Sequence, residues 1–155
     1  MIREKRNSVK IEGWRLSKVP IAAANEVFQG DLMTWNASLK HARQASGSSG
    51  DAATFIGVAE TTNPIPSTGV LLTELQDVKI NILQQGLVEM IAGAAETYYP
   101  FDTITIGADA QTVRKSAGGV IGIADPSVGA AGKALAAGDY VLLWLRVPDA
   151  YRAFF

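Results

Sequence analysis

The stretches "TFIGVAE" (54–60) and "GGVIGIAD" (118–125) write Ile-Gly-(Val/Ile)-Ala-acid twice, with Ile56 and Ile121 65 positions apart. Neither stretch holds a catalytic side chain, so the recurrence asks for a structural explanation. A glycine inside an aliphatic run marks a bend or a place where another backbone approaches closely. Gly57 and Gly122 are expected to act in that way. Outward from this motif, Asp31 aligns with Asp102, Thr34 with Thr105, Ala37 with Ala108 and Arg43 with Arg114, all 71 positions apart. The step from 71 to 65 falls in "ASGSSGDAA" (45–53), which its Gly and Ser content marks as an inserted loop.

Each copy reads as strand, turn, strand, loop, strand. "DLMTW" (31–35) and "DTITI" (102–106) are rich in residues that suit a pleated surface. "NASLKHARQ" (36–44) and "GADAQTVRK" (107–115) supply turn residues followed by a second short strand. Two such units predict a mainly β fold, a compact β-barrel or β-sandwich-like body with duplicated hairpin units and an extended N-terminal arm. Between the copies, "VKINIL" (78–83), "QQG" (84–86) and "LVEMIA" (87–92) read as a hairpin. A helix over 73–92 competes, because Leu75, Val78 and Ile82 also fit helical spacing; Gly86 and the β-branched Ile80 and Ile82 favour strands. "SVGAAGKALAAGD" (127–139) reads as a flexible segment with a short helical turn around 133–137. "YVLLWLRV" (140–147) reads as an apolar last strand that Pro148 ends.

At 155 residues, 48% apolar and 19% charged, the chain has the composition of one folded domain and not of a disordered one. It contains no cysteine, which removes disulfides and thiolate metal sites. No run approaches the roughly 20 apolar residues of a membrane-spanning helix, so no membrane partner is expected. Glu12, Arg15 and Lys18 interrupt the segment before the small residues Ala22 to Ala24, so no secretion signal is read. The sequon at Asn36 to Ser38 matters only on an exported eukaryotic chain.

The net charge of −1 conceals an asymmetry: residues 1–18 hold Arg3, Lys5, Arg6, Lys10, Arg15 and Lys18 against only Glu4 and Glu12. A basic arm, placed at 1–26, precedes an acidic body over 27–155. Within the arm, "SVKIEGW" (8–14) alternates Val9 and Ile11 with Lys10 and Glu12, a pattern suited to adding a strand to a neighbouring sheet, with Trp14 as anchor. Arg3, Lys5, Arg6, Val9, Ile11, Trp14 and Arg15 are its candidate contact residues. A solvated tail is the plain alternative. At the other end, Trp144, Tyr151, Phe154 and Phe155 are candidates for a subunit interface, with docking of the tail on its own subunit as the alternative.

The sequence carries few residues arranged for catalysis. His41 is the single histidine and has no cysteine beside it, so it reads as a turn residue and no metal is expected. "SVGAAGKA" (127–134) fails as a phosphate loop, with Ser127 where the first glycine belongs and Ala134 where Ser or Thr would hold magnesium. There is no G-x-S-x-G elbow. Asp102, Asp109, Asp125 and Asp139 stand beside turn residues, where aspartate serves the backbone. No cofactor motif and no nucleic-acid reading motif is present. A non-enzymatic role follows as the expectation.

The pattern resembles the head decoration, or capsid cement, proteins of tailed bacteriophages. The likeness is carried by "VFQGDLMTW" (27–35), "ATFIGVAE" (53–60), "VKINILQQGLVEMIA" (78–92), and "GGVIGIADP" with "LAAGDYVLLWL" (118–126 and 135–145), and it covers most of residues 20–147. The resemblance implies a compact β-rich body with a free arm that binds as a homotrimer to the major capsid protein on the outer surface of the virion head. The unusually basic first 18 residues depart from that pattern. Other virion structural parts, a tail-tube or head-fibre base, fit the same composition. A small β-barrel hydrolase, using Asp102, Asp109 and His41, is the enzymatic alternative.

Overall fold

The computed structural model describes residues 7–21, 27–60, 79–116 and 118–153. In these residues the chain is mainly β, and its helical content is three short 3-10 turns at Asp51–Thr54, Pro126–Val128 and Asp149–Tyr151. The strands are β1 (Ser8–Glu12), β2 (Arg15–Pro20), β3 (Leu32–Asn36), β4 (His41–Gln44), β5 (Phe55–Ala59), β6 (Lys79–Leu83), β7 (Gly86–Ala92), β8 (Glu96–Tyr98), β9 (Thr103–Ile106), β10 (Thr112–Lys115), β11 (Gly122–Ala124), β12 (Lys133–Leu135) and β13 (Tyr140–Leu145).

Strands β7, β10, β9, β11 and β13 pair in that order, and β13 returns to β7, so this sheet closes into a five-stranded barrel. The first half repeats it. Strands β2, β6, β5, β3 and β4 form a second five-stranded sheet, and a parallel bridge between Ile21 and Ala42 carries the chain leaving β2 back to β4. The corresponding contact in the other barrel is the parallel pairing of Ala92 with Val113, both 71 positions on. Register is kept pair by pair: Met33–Gln44 and Thr34–Arg43 recur as Ile104–Lys115 and Thr105–Arg114. Leu32–Val58 and Met33–Gly57 recur as Thr103–Ile123 and Ile104–Gly122. Both copies of the duplicated segment are hairpins, as the sequence predicts.

The repeated glycine now has its reason. A Cβ at Gly57 would be driven into the carbonyl oxygen of Leu83, and one at Gly122 would stand 2.6 Å from that of Trp144, the residue that replaces Leu83 in the second barrel. Side-chain-free positions let β5 and β11 close onto β6 and β13. Gly57, at φ 138°, also adopts a backbone that L side chains rarely take.

Each barrel has its own filling. Val19, Met33, Ile56, Ile80 and Ile82 are buried inside the first, and Met90, Ile104, Ile121, Val141 and Leu143 take their places in the second. Fully burying each such side chain contributes about 1.5–3 kcal/mol.

The two barrels share one ribbon. β1 runs antiparallel to β7 from Ser8–Glu89 to Glu12–Gly86, and β2 continues antiparallel to β6 from Arg15–Leu83 to Pro20–Lys79. Between them the Gly13 amide donates to the Gln85 carbonyl and the Gln84 amide to the Trp14 carbonyl, both at 2.8 Å. The arm expected over 1–26 is thus, for residues 7–21, built into both barrels. Val9 and Ile11 lie on a strand, as their alternation predicts, but its partner is β7 of the same chain. Residues 1–6 and 22–26 lie outside the described residues.

Two other expectations change. Residues 79–83 and 86–92 are strands and not a helix, yet β6 and β7 are not a hairpin: they continue in line, each pairing with strands of its own barrel. The helical turn expected around 133–137 is strand β12 over Lys133–Leu135, paired with β8. Leu135 is buried there while Lys133 and Ala134 stay exposed, an arrangement a strand edge satisfies. The part of the competing helix reading that falls on 73–78 lies outside the described residues.

Candidate interaction surface

Asn7, which no periodicity marks, pins the start of the ribbon. It is buried; its Nδ2 donates to the carbonyls of Gly30 (2.9 Å) and Gln111 (3.0 Å), and its Oδ1 accepts from the amide of Ile91 (2.9 Å). One side chain therefore ties a turn of the first barrel to two places in the second. Val9, opposite Val88, is half-buried and packs on the main core. Ile11 and Trp14 remain exposed, at 50% and 47%. Lys10 and Arg15 meet acids of their own chain: Lys10 Nζ lies 3.7 Å from Glu89, Arg15 Nε 3.2 Å from Glu60, and the Arg15 guanidinium also pairs with Glu12. Arg3, Lys5 and Arg6 lie outside the described residues.

Glu60 is held above its ordinary carboxylate range, first because burial penalises its charge, with Arg15 opposing and Glu12 adding to the rise. Its counterpart Asp125, 65 positions on, behaves in the opposite sense. The Asp125 carboxylate accepts from the Ser127 amide and, at 2.7 Å, from the Trp144 indole Nε1, and hydrogen bonds from Ser127 and Trp144 lower its pKa. Trp144, half-buried on the outward side of β13, is thereby fixed in orientation beside Ile123, its partner on β11.

Tyr151 docks on its own subunit. It packs against both apolar clusters, and its carbonyl accepts from Nε2 of the buried Gln84 at 2.6 Å. The same Gln84 donates to the Ile56 carbonyl and accepts from the Ala153 amide. Gln84 was not singled out in the sequence, where it reads as part of a turn. Phe154 and Phe155 lie outside the described residues.

The barrels meet through unlike faces. The outward-facing Leu32, Phe55, Val58 and Leu83 of the first are fully buried and join the apolar cluster that fills the second. At the edge of this contact the Leu32 amide donates to the carbonyl of Ala110, in the β9–β10 turn, at 2.7 Å. The counterparts of these residues are open: Thr103 is exposed, and Val120, Ile123 and Trp144 are half-buried. Phe28 is 8% exposed but its counterpart Tyr99 is 44% exposed; Ala110 is 4% exposed but its counterpart Leu39 is 65% exposed. Gly30, packed against Asn7, is replaced by Phe101, 63% exposed and at φ 64°. The turn it occupies is closed in both copies by an aspartate accepting the amide three residues back (Phe28 to Asp31, Tyr99 to Asp102).

Of the groups considered for hydrolysis, Asp102 and Asp109 are engaged in turns, whereas His41, read from the sequence as a turn residue, opens strand β4. Asp102 accepts from Tyr99 and pairs with Lys115, Asp109 accepts from the Gln111 amide and the Thr112 hydroxyl, and His41 Nδ1 lies 3.2 Å from the Ala42 carbonyl. Asp51 gathers the amides of Ser46, Gly47 and Ser48, shaping the inserted loop, and Asp139 accepts from Ala136. Among the described residues, no group of three or more His, Cys, Asp or Glu stands together as a metal site, and no helix is long and apolar enough to cross a membrane. Comparison of the chain with protein-family models, with curated proteins and with solved structures gives no match.

Proposed function

We propose that this chain is a non-enzymatic capsid decoration protein of the tailed-phage kind, one that binds the outer surface of a viral head through the major capsid protein and stabilises it, self-associating as a trimer. The observation that carries the reading is the distribution of exposed apolar side chains: Ile11, Trp14, Leu39, Tyr99 and Phe101 stand out of a rigid double barrel whose aspartates serve the backbone. Such a surface suits lasting contact with protein better than turnover of a small substrate. The sequence motifs that resemble the decoration family lie on β3, β5, β11, β13 and the β6–β7 half of the shared ribbon, the strands that form the walls of both barrels. In a trimer, three modest contacts held in the geometry of the lattice exceed one contact by ~10²- to 10⁴-fold.

The test is to mix the purified protein with expanded heads that lack decoration, image the particles, and measure the temperature at which they release DNA. Regular surface density and a raised release temperature are expected. Heads that stay bare at saturating protein overturn the reading.

A further inference from the structure

We infer that the contact between the two barrels of one chain is repeated between chains. The outward face of the second barrel, centred on Phe101, Thr103, Ile123 and Trp144, receives the β3–β4 turn of a second copy with Leu39 at its tip. This inference rests on the internal duplication and stands whether or not the protein decorates a capsid.

Three observations converge on that partner. First, the contact inside the chain is heterologous. If a two-fold axis related the barrels, Thr103 would meet Leu39 of the same chain just as Leu32 meets Ala110; instead Thr103 and Leu39 are both exposed. A head-to-tail contact between like units leaves one donor face and one acceptor turn open at the two ends, and a second copy brings the complement of each. Second, the open pieces are the counterparts of the buried ones, with sizes exchanged. Leu32 meets the small Ala110 within the chain, whereas the smaller Thr103 would meet the larger Leu39 between chains. The shared register assigns the Thr103 amide as donor to the Leu39 carbonyl of the neighbour, as the Leu32 amide donates to Ala110. Third, Phe101 keeps a large apolar side chain exposed in a left-handed backbone conformation where the first barrel has glycine. That conformation costs a non-glycine residue about 1–2 kcal/mol, and a covering partner accounts for both the exposure and the strain.

The chain contains no cysteine, so single cysteines report the contact cleanly. Leu39→Cys and Thr103→Cys chains are purified separately, mixed and oxidised. A covalent dimer is expected in the mixture and in neither protein alone. Cross-linking of either protein with itself at a comparable rate, or none in the mixture, overturns the inference. Sedimentation supplies a second reading: Leu39→Asp and Phe101→Asp should each weaken association by about 30-fold, as loss of an interface anchor does. Mixed, these two variants retain one intact contact and should form dimers and nothing larger. Phe101→Gly, which relieves the backbone, guards against misfolding: it should also weaken association while melting no lower than the parent. A wild-type chain that stays monomeric at millimolar concentration, or variants that associate as it does, refute the head-to-tail contact.

Discussion

Glu60 closes β5 of the first barrel and Asp125 closes β11 of the second, at one position of the duplicated unit, and the two carboxylates are held in opposite ways. Glu60 is desolvated where the shared ribbon lays Arg15 across it; Asp125 stands at the rim with an indole and an amide to bond. The same division runs through the whole molecule. Positions that point into the barrels kept their character in both copies, Met33 with Ile104 or Ile82 with Leu143. Of the positions that point out, Arg43 and Arg114 stay identical, but several at the contact between the barrels diverged: Leu32 pairs with Thr103, Gly30 with Phe101, and Leu39 with Ala110. A closed barrel constrains its interior by volume, while an outward position answers only to whatever covers it.

Removing residues 1–12, and with them β1 and Asn7, tests how far the two barrels depend on each other. If the barrels are independent, urea unfolding should barely change. The three Asn7 bonds and the packing of Val9 argue otherwise, and a loss of about 4 kcal/mol is expected. Next in size are Gly57→Ala and Gly122→Ala. Both push a Cβ at a carbonyl oxygen, but Gly57 also has the unfavourable φ, so losses of about 4 and about 2 kcal/mol are expected in chemical denaturation. Equal losses would mean that strand approach alone sets the requirement. Gln84→Leu installs the residue type that the second barrel has at the corresponding Leu145, yet it strands the Tyr151 carbonyl and the Ala153 amide; about 2 kcal/mol should be lost. Phe101→Gly should move the other way, raising stability of the dilute chain by about 0.5–1 kcal/mol.

The smallest effect is a contrast in pH dependence. The raised pKa of Glu60 means that folding favours its protonated form, so its contribution improves as pH falls through the folded value. The lowered pKa of Asp125 means that its contribution is present above the unfolded value near 3.8 and is lost as pH falls through the folded one. In melts between about pH 6 and 3, the advantage of wild type over Glu60→Gln should therefore grow toward acid. Its advantage over Asp125→Asn should shrink. Parallel trends would show that the two carboxylates are not held differently.

The sequence exposed the duplication wherever the spacing between copies stays constant, from Asp31 to Arg43 and again at Ile56 to Glu60. It concealed the repeat at the ends of each unit. β2 carries one extra residue between Leu16 and Val19, with Lys18 at φ 59°, so the spacing to β7 changes from 72 to 71 inside a single strand. The connection from Glu60 to β6 is longer by four than that from Asp125 to β13, which moves the last strand to a spacing of 61. Lys79 and Ile80 therefore match Tyr140 and Val141, a likeness that residue types alone do not announce. The open and buried faces were illegible for a different reason. Leu39 and Leu32 are both leucines, and only the tertiary contact distinguishes the 65% exposed one from the fully buried one.

The shared ribbon has a consequence for how the molecule assembles in time. Strand β2 waits for β6, whose paired residues lie 59 to 68 positions later, and β1 waits for β7 after it. A ribosome that has released only the first half has therefore made a barrel that lacks a wall, with Ile56 and Met33 uncovered. Contacts so distant along the chain slow folding and lengthen the life of sticky intermediates. Strand β1 crosses from the first barrel to pair with β7 of the second, so the two units are expected to fold together, and a single slow, concerted phase is the expected signature in refolding from urea.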